Sequence, residues 1–226
     1  MTRNLLTSAL FAGVAAGLIA ALLQFTYVIP ALLEGELYES GARVHFVAQG
    51  MPQSERGSPG LGGDLARHAM TVGFNLIAYV GFALILLACM ALAERRGTPI
   101  TARAGLIWGL AGFIAIQLAP AFGLPPELPG TPAADLAARQ AWWLGAVVAT
   151  AAGLGLIAFA RGWLPLLGVA LIAAPQIVGA PHPGDYSGTA PPELAAQFVT
   201  LSLGAAAVSW AALGYLGAWF WTRANA

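Results

Sequence analysis

From Leu5 to Leu33 the chain runs without a single charged side chain, and this stretch restricts what it can fold into more than any motif does. A helix needs about 20 apolar residues to cross the ~30 Å hydrocarbon core of a bilayer, so a run of this length reads as a membrane span. Five more follow, at Ala69 to Ala93, Arg103 to Phe122, Gln140 to Ala160, Trp163 to Ala180 and Leu194 to Trp221, the fifth of the six being the shortest. Hydrophobic residues make up 58% of the 226 and charged residues 9%, against roughly 25% charged in a soluble domain. The expectation is an all-α polytopic membrane protein with six transmembrane helices in one transmembrane domain over 1–226. Arg3 precedes the first apolar core as in a secretory signal, but the core is too long and lacks a clean cleavage site, so it reads as a retained anchor.

Residue usage excludes several chemistries. The chain has no lysine, and so neither a Walker A loop nor a Schiff-base lysine. Cys89 is the only cysteine, which rules out an internal disulfide or a CxxC metal pair. No HxxxH or HExxH spacing occurs, and no serine, cysteine or clustered histidines form a nucleophilic or metal-hydrolytic constellation, so the chain does not read as an enzyme.

Charge is zero in total but unevenly distributed. If six helices alternate, one side holds Arg3, Arg95, Arg96, Arg103, Arg161 and Arg223 against Glu94 alone, a net of +5. The other holds four arginines, nine acids and all three histidines, a net of −5 apart from the histidines. The positive-inside rule makes the first side cytoplasmic, with both termini there and a long extracytoplasmic loop at 34–68. An acidic outer face concentrates cations, although the same acids also serve solubility.

The words "DLARHAM", "DLAARQAW" and "ELAAQFVT" each open an even-numbered span, and their acids Asp64, Asp135 and Glu193 suit helix N-caps. The odd-numbered spans each carry a glutamine near a proline: Gln24 with Pro30, Gln117 with Pro120, Gln176 with Pro175. A proline inside a span frees backbone carbonyls. The pattern is that of three parallel-repeat helical hairpins, near 1–93, 103–160 and 163–221, and parallel repeats place transport sites where they meet. Gly13 with Gly17, and Gly105 with Gly109, have the spacing that lets helices approach closely, a packing role. Trp142, Trp143, Trp163, Trp219 and Trp221 lie near helix ends and read as interfacial belts.

In "APAFGLPPELPG" prolines hold Glu127 close to the membrane, where an ionised side chain needs a partner. Arg139 is the nearest candidate. Two roles stay open and are compatible: a structural Glu127–Arg139 ion pair, and a carboxylate offered to an incoming cation. "APQIVGAPHPGDYSGTAPPEL" fixes His182 between two prolines, either as an imidazole ligand for cobalt, nickel or zinc or as an unengaged loop histidine. "PALLEGELYESGARVHF" brings Glu34, Glu36, Tyr38, Glu39 and His45 within short reach. The Gly/Pro/Ser-rich loop at 50–63 has the composition of a mobile segment, and Met51 within it could offer only a soft ligand. The candidate metal ligands are Glu36, His45, Glu127, His182 and Gln176, with Arg139 and Gln140 as ion-pair or gating residues and Gln24 and Gln117 as pathway groups.

The segments "GLIWGLAGFIAIQLAPAFGLPPELPG", "RQAWWL" and "VGAPHP" resemble the CbtA-type family of probable cobalt transporter subunits, and the likeness extends from "ALLEGELYE" to the last helix. The resemblance implies a multi-pass subunit of the bacterial inner membrane, linked to cobalt uptake for cobalamin synthesis. It also implies a small one-helix, histidine-bearing CbtB-type partner, cobalt as substrate with no permanently bound cofactor, and no nucleic-acid partner; an oligomer is compatible with it. The matching positions are Glu36, Glu127, Arg139, Gln140 and Pro181. Family members often carry histidine where this chain has Gln176, and glutamine binds divalent metal more weakly, which leaves the metal open. Alternatives are a membrane scaffold for a metal-binding partner and, less favoured, an intramembrane enzyme acting on a lipid-like substrate.

Overall fold

The computed structural model describes residues 2–45, 54–185 and 187–225; Met51 lies outside them, as do the other residues of 46–53. Among the described residues all regular structure is helical. Five helices are long and apolar enough to cross a membrane: α1 (Thr2–Glu39), α2 (Leu65–Arg95), α3 (Ala102–Ala121), α4 (Leu136–Phe159) and α6 (Pro192–Ala224). The remaining apolar helix, α5 (Leu164–Val178), has 15 residues. At ~1.5 Å per residue it spans about 22 Å, short of the ~30 Å core. Its limits are set by glycines in the left-handed region, Gly162 (φ 68°) before it and Gly179 (φ 84°) after it.

The helix starts follow local chemistry. Asp64 accepts the Arg67 N–H and Asp135 the Ala138 N–H, each at 2.9 Å, as helix N-caps do. Glu193 differs from the expected cap. Pro192 opens α6, since its missing N–H costs nothing in the first turn, and Glu193 falls inside that turn, beside the positive end of the dipole.

Two spans are not regular α-helix throughout. α1 widens into a π-helical turn at Gln24–Val28 and α3 at Ile114–Leu118. In each case a proline, Pro30 or Pro120, stands two residues after the turn. A proline ring clashes with the carbonyl four residues back and offers it no N–H, and widening the preceding turn relieves the clash. Pro175 also lies inside a helix, α5, which keeps its α form around it.

Packing divides the chain into two compact units. The first comprises the described residues within 1–24, 63–113 and 204–226. Here Gly13 lies against the Val80 backbone and Gly17 against the Asn75 carbonyl, the packing role expected of that pair. Gly105 and Gly109 meet Gly214 of α6 so closely that a Cβ on Gly214 would collide with the Gly105 carbonyl and the Gly109 backbone. Trp210, essentially buried, stacks on Phe82 with ring centroids 4.8 Å apart. Trp221 is buried too, and its indole donates to Glu94 Oε2 at 2.9 Å. It is therefore a packing residue and not the interfacial belt residue expected from its place near a helix end.

The second unit comprises the described residues within 25–62 and 114–203. Its organising contact is Leu128, a loop residue only 3% exposed, buried with Ala31 and Tyr38 of α1 and Leu194 and Phe198 of α6. Gly35 lets it in: a Cβ there would come within 2.9 Å of Leu128 Cδ2. Tyr38, grouped in sequence with possible ligands, is part of this core. Gly153 of α4 and Gly168 of α5 face each other, each leaving room for the other's carbonyl.

These contacts make two predictions for thermal unfolding in detergent. Gly214→Ala should destabilise by about 1–3 kcal/mol, the usual cost of overpacking. Gly145→Ala, at an exposed helical position with open space around it, should gain up to about 1 kcal/mol; equal effects at the two sites would contradict the close approach. Leu128→Ala should cost about 2–5 kcal/mol and expose the peptide bond after Arg139 to trypsin, whereas an unchanged digestion pattern would show that Leu128 does not anchor the loop.

Candidate functional site

Eight of the nine residues singled out from sequence belong to the second unit, and only Gln24 belongs to the first. Glu127 and Arg139 form the expected ion pair, Arg139 Nη2 donating to Glu127 Oε2 at 2.7 Å. Their side chains are 30% and 25% exposed, so water still reaches both. The pair closes the loop between α3 and α4, and Leu128, the next residue, fixes that loop in the core described above. Carboxylate position is thereby set by an apolar anchor one residue away.

Segments distant in sequence meet around this loop. Gly130 (φ 76°) has its open side toward Thr189 Oγ1, at 2.5 Å from an added Cβ, and toward Glu39 Cβ at 3.4 Å. Gly123 lies against Ala180 and the Trp142 indole. The connection carrying Glu127 thus touches the end of α1 and the segment between α5 and α6, which bears His182. Glu36 is half-buried in the last turns of α1, and His45 is half-buried just beyond. Glu34 binds Arg43 Nη1 at 3.0 Å and the Gly57 N–H at 2.9 Å, a loop-holding role and not a free ligand. His182 is exposed and makes no hydrogen bond or ion pair among the described residues. Gln140 is exposed as well.

The glutamines have structural partners. Gln176 Nε2 donates to the Ala119 carbonyl at 2.9 Å, capping the end of α3, and this leaves Oε1 as the only part of its amide that could reach a cation. Gln117 lies in the π turn of α3. Gln24, first residue of the π turn in α1, exchanges two hydrogen bonds with Asn75 of α2, at 3.0 and 3.2 Å. Asn75, 5% exposed, also donates to the Thr71 carbonyl. Sequence reasoning passed over Asn75, although an amide side chain in an otherwise apolar span is a signal in itself. Trp142 was assigned to an interfacial belt, but its indole donates to the Pro175 carbonyl at 3.2 Å.

No group of three or more His, Cys, Asp and Glu side chains close enough to hold a metal occurs among the described residues. The arrangement instead offers separate oxygen and nitrogen groups on converging loops. Such groups suit a partly hydrated ion in passage better than one held permanently.

Comparison with known proteins then gives the chain its relatives. The family described as probable cobalt transporter subunit (CbtA) matches residues 2–222. No curated protein and no solved structure matches. The match covers nearly the whole chain, through all six helices, and the chain belongs to the CbtA family of probable cobalt transporter subunits.

Proposed function

We propose that this chain is the membrane-embedded subunit of a cobalt uptake permease serving cobalamin synthesis. The observation that carries this reading is the anchored outer loop: Leu128 seated between α1 and α6, with Glu127 beside it and the His182 segment against it. The acidic outer face gathers divalent cations, and Glu36, His45, Glu127 and His182 receive them, with Gln176 Oε1 as a further ligand. Gln117 and Gln24, with the carbonyls that the prolines free, pass the ion inward. Three parallel hairpins, with both termini on the cytoplasmic side of a bacterial inner membrane, are the topology in which this works. The six arginines of one side and the caps at Asp64 and Asp135 support it.

Magnitudes make the gating step reasonable. A partly exposed ion pair such as Glu127–Arg139 contributes about 0–1 kcal/mol. A dication moving inward down an inside-negative potential gains about 4.6 kcal/mol per 100 mV, twice the single-charge value. Opening the pair to release the carboxylate, with Arg139 and the neighbouring Gln140 shifting aside, is therefore cheap relative to the driving force. No nucleotide hydrolysis in this chain is required.

A second reading, a scaffold for a one-helix, histidine-bearing CbtB-type subunit, is favoured by the lack of a preassembled three-ligand cluster among the described residues. Radiocobalt uptake into vesicles holding the purified chain, with and without that partner, separates the two. The permease reading expects uptake that rises with an imposed inside-negative potential. It expects Glu127→Gln to lower uptake on the order of tenfold while changing stability by no more than about 1 kcal/mol. Wild-type uptake by the Glu127→Gln protein would remove Glu127 from the mechanism, and metal bound by the partner without flux would favour the scaffold.

A further inference from the structure

Thr150 of α4 is wholly buried, and its Oγ1 has no hydrogen-bond partner among the described residues. Among the described residues Ser202 Oγ of α6 shares this condition, while several other helical hydroxyls behave differently. Thr7, Thr71, Thr200 and Ser209 each donate to the carbonyl four residues back, at 2.8 to 3.0 Å. Thr150 has the same option at Ala146 and does not use it. A hydroxyl removed from water without a partner is unfavourable, so its isolation calls for a reason.

Helix register supplies one. Gly153 of α4 faces Gly168 of the antiparallel α5, so one turn toward Thr150 on α4 corresponds to one turn toward Leu171 on α5. Leu171 stands four residues before Pro175, and its carbonyl has no helical N–H to accept. On the other flank α4 packs against the π turn of α3, which holds Ala115 and Ile116, five and four residues before Pro120. Thr150 is thus level with one proline-freed carbonyl on α5, and its helix also packs against the π turn of α3 that precedes Pro120.

The geometry points to an inner oxygen site in which Thr150 Oγ1 and the carbonyls freed by Pro120 and Pro175 form a waypoint for a permeating divalent cation. The inference rests on the permease reading and adds a residue to it. The ligands are neutral oxygens alone, which bind a dication weakly compared with imidazole or carboxylate and release it readily, as conduction requires. Glu127 and His182 capture the ion; Thr150 hands it on.

The test uses vesicles holding the full chain, with its partner where flux needs one, and the isosteric Thr150→Val. Removing an unpartnered hydroxyl should leave the melting temperature unchanged or raise it. Radiocobalt uptake should nevertheless fall on the order of tenfold, while Thr150→Ser stays close to wild type. Gly145→Ala, away from these groups, should leave uptake unchanged. If Thr150→Val does not fold, the comparison of Thr150→Ser with Thr150→Ala reads the same difference. Undiminished uptake by a folded Thr150→Val protein would overturn the proposal and leave a packing threonine or a buried water. Should the wild type carry no cobalt, the permease reading fails separately. Equilibrium radiocobalt binding to the purified Glu127→Gln protein then decides the inner site: binding that Thr150→Val abolishes supports it, and binding independent of Thr150 contradicts it.

Discussion

Inside a bilayer every backbone N–H and C=O must find its partner within the protein, and this chain places prolines in three of its apolar helices against that constraint. Pro30 and Pro120 follow π-helical turns, and Pro175 sits inside a short helix. Three polar contacts between helices lie in the neighbourhoods of these prolines. Gln176 reaches the Ala119 carbonyl, Trp142 the Pro175 carbonyl, and Gln24 pairs with Asn75. Prolines in the spans therefore do two things. They break helical regularity, and they create oxygen acceptors at depths where an apolar helix would offer none.

The loops of the second unit solve a different problem. A loop with four prolines around Glu127 has little regular hydrogen bonding to hold it, so its position comes from Leu128 buried between α1 and α6. Glycines at 35, 123 and 130 remove the Cβ atoms that would block that approach. With the backbone fixed by apolar contact, the Glu127–Arg139 pair can stay half-exposed and exchangeable. A loop held by the ion pair alone could not open it without losing its place. This separation of anchor from ion pair is what the proposed cation-gated carboxylate requires.

Much of this could be foreseen from particular residues. Uncharged runs gave the helical membrane fold, Asp64 and Asp135 gave two helix starts, and proximity gave the partner of Glu127. The paired glycines at 13/17 and 105/109 marked close helix contacts, though not the partner, Gly214, which stands without a matching pair at that spacing. Leu128 was hidden because a single leucine among prolines has no periodicity to reveal its burial. Trp221 and Trp142 were read from position alone, and only the fold shows that a glutamate and a proline carbonyl lie opposite their indoles. The π turns follow from Pro30 and Pro120, yet Pro175 shows that a proline does not always produce one. Thr150 carried no sequence signal, because its mark, shared with Ser202, is a hydrogen bond it does not make.

The central claim is that side chains on the Leu128-anchored loops ligate the transported ion. Cobalt-edge X-ray absorption on the purified, cobalt-loaded protein tests it most directly. The account predicts an oxygen-rich shell with an imidazole contribution that falls in His182→Ala and a carboxylate contribution that falls in Glu127→Gln. A spectrum identical to that of fully hydrated cobalt, unchanged in both variants, would contradict it.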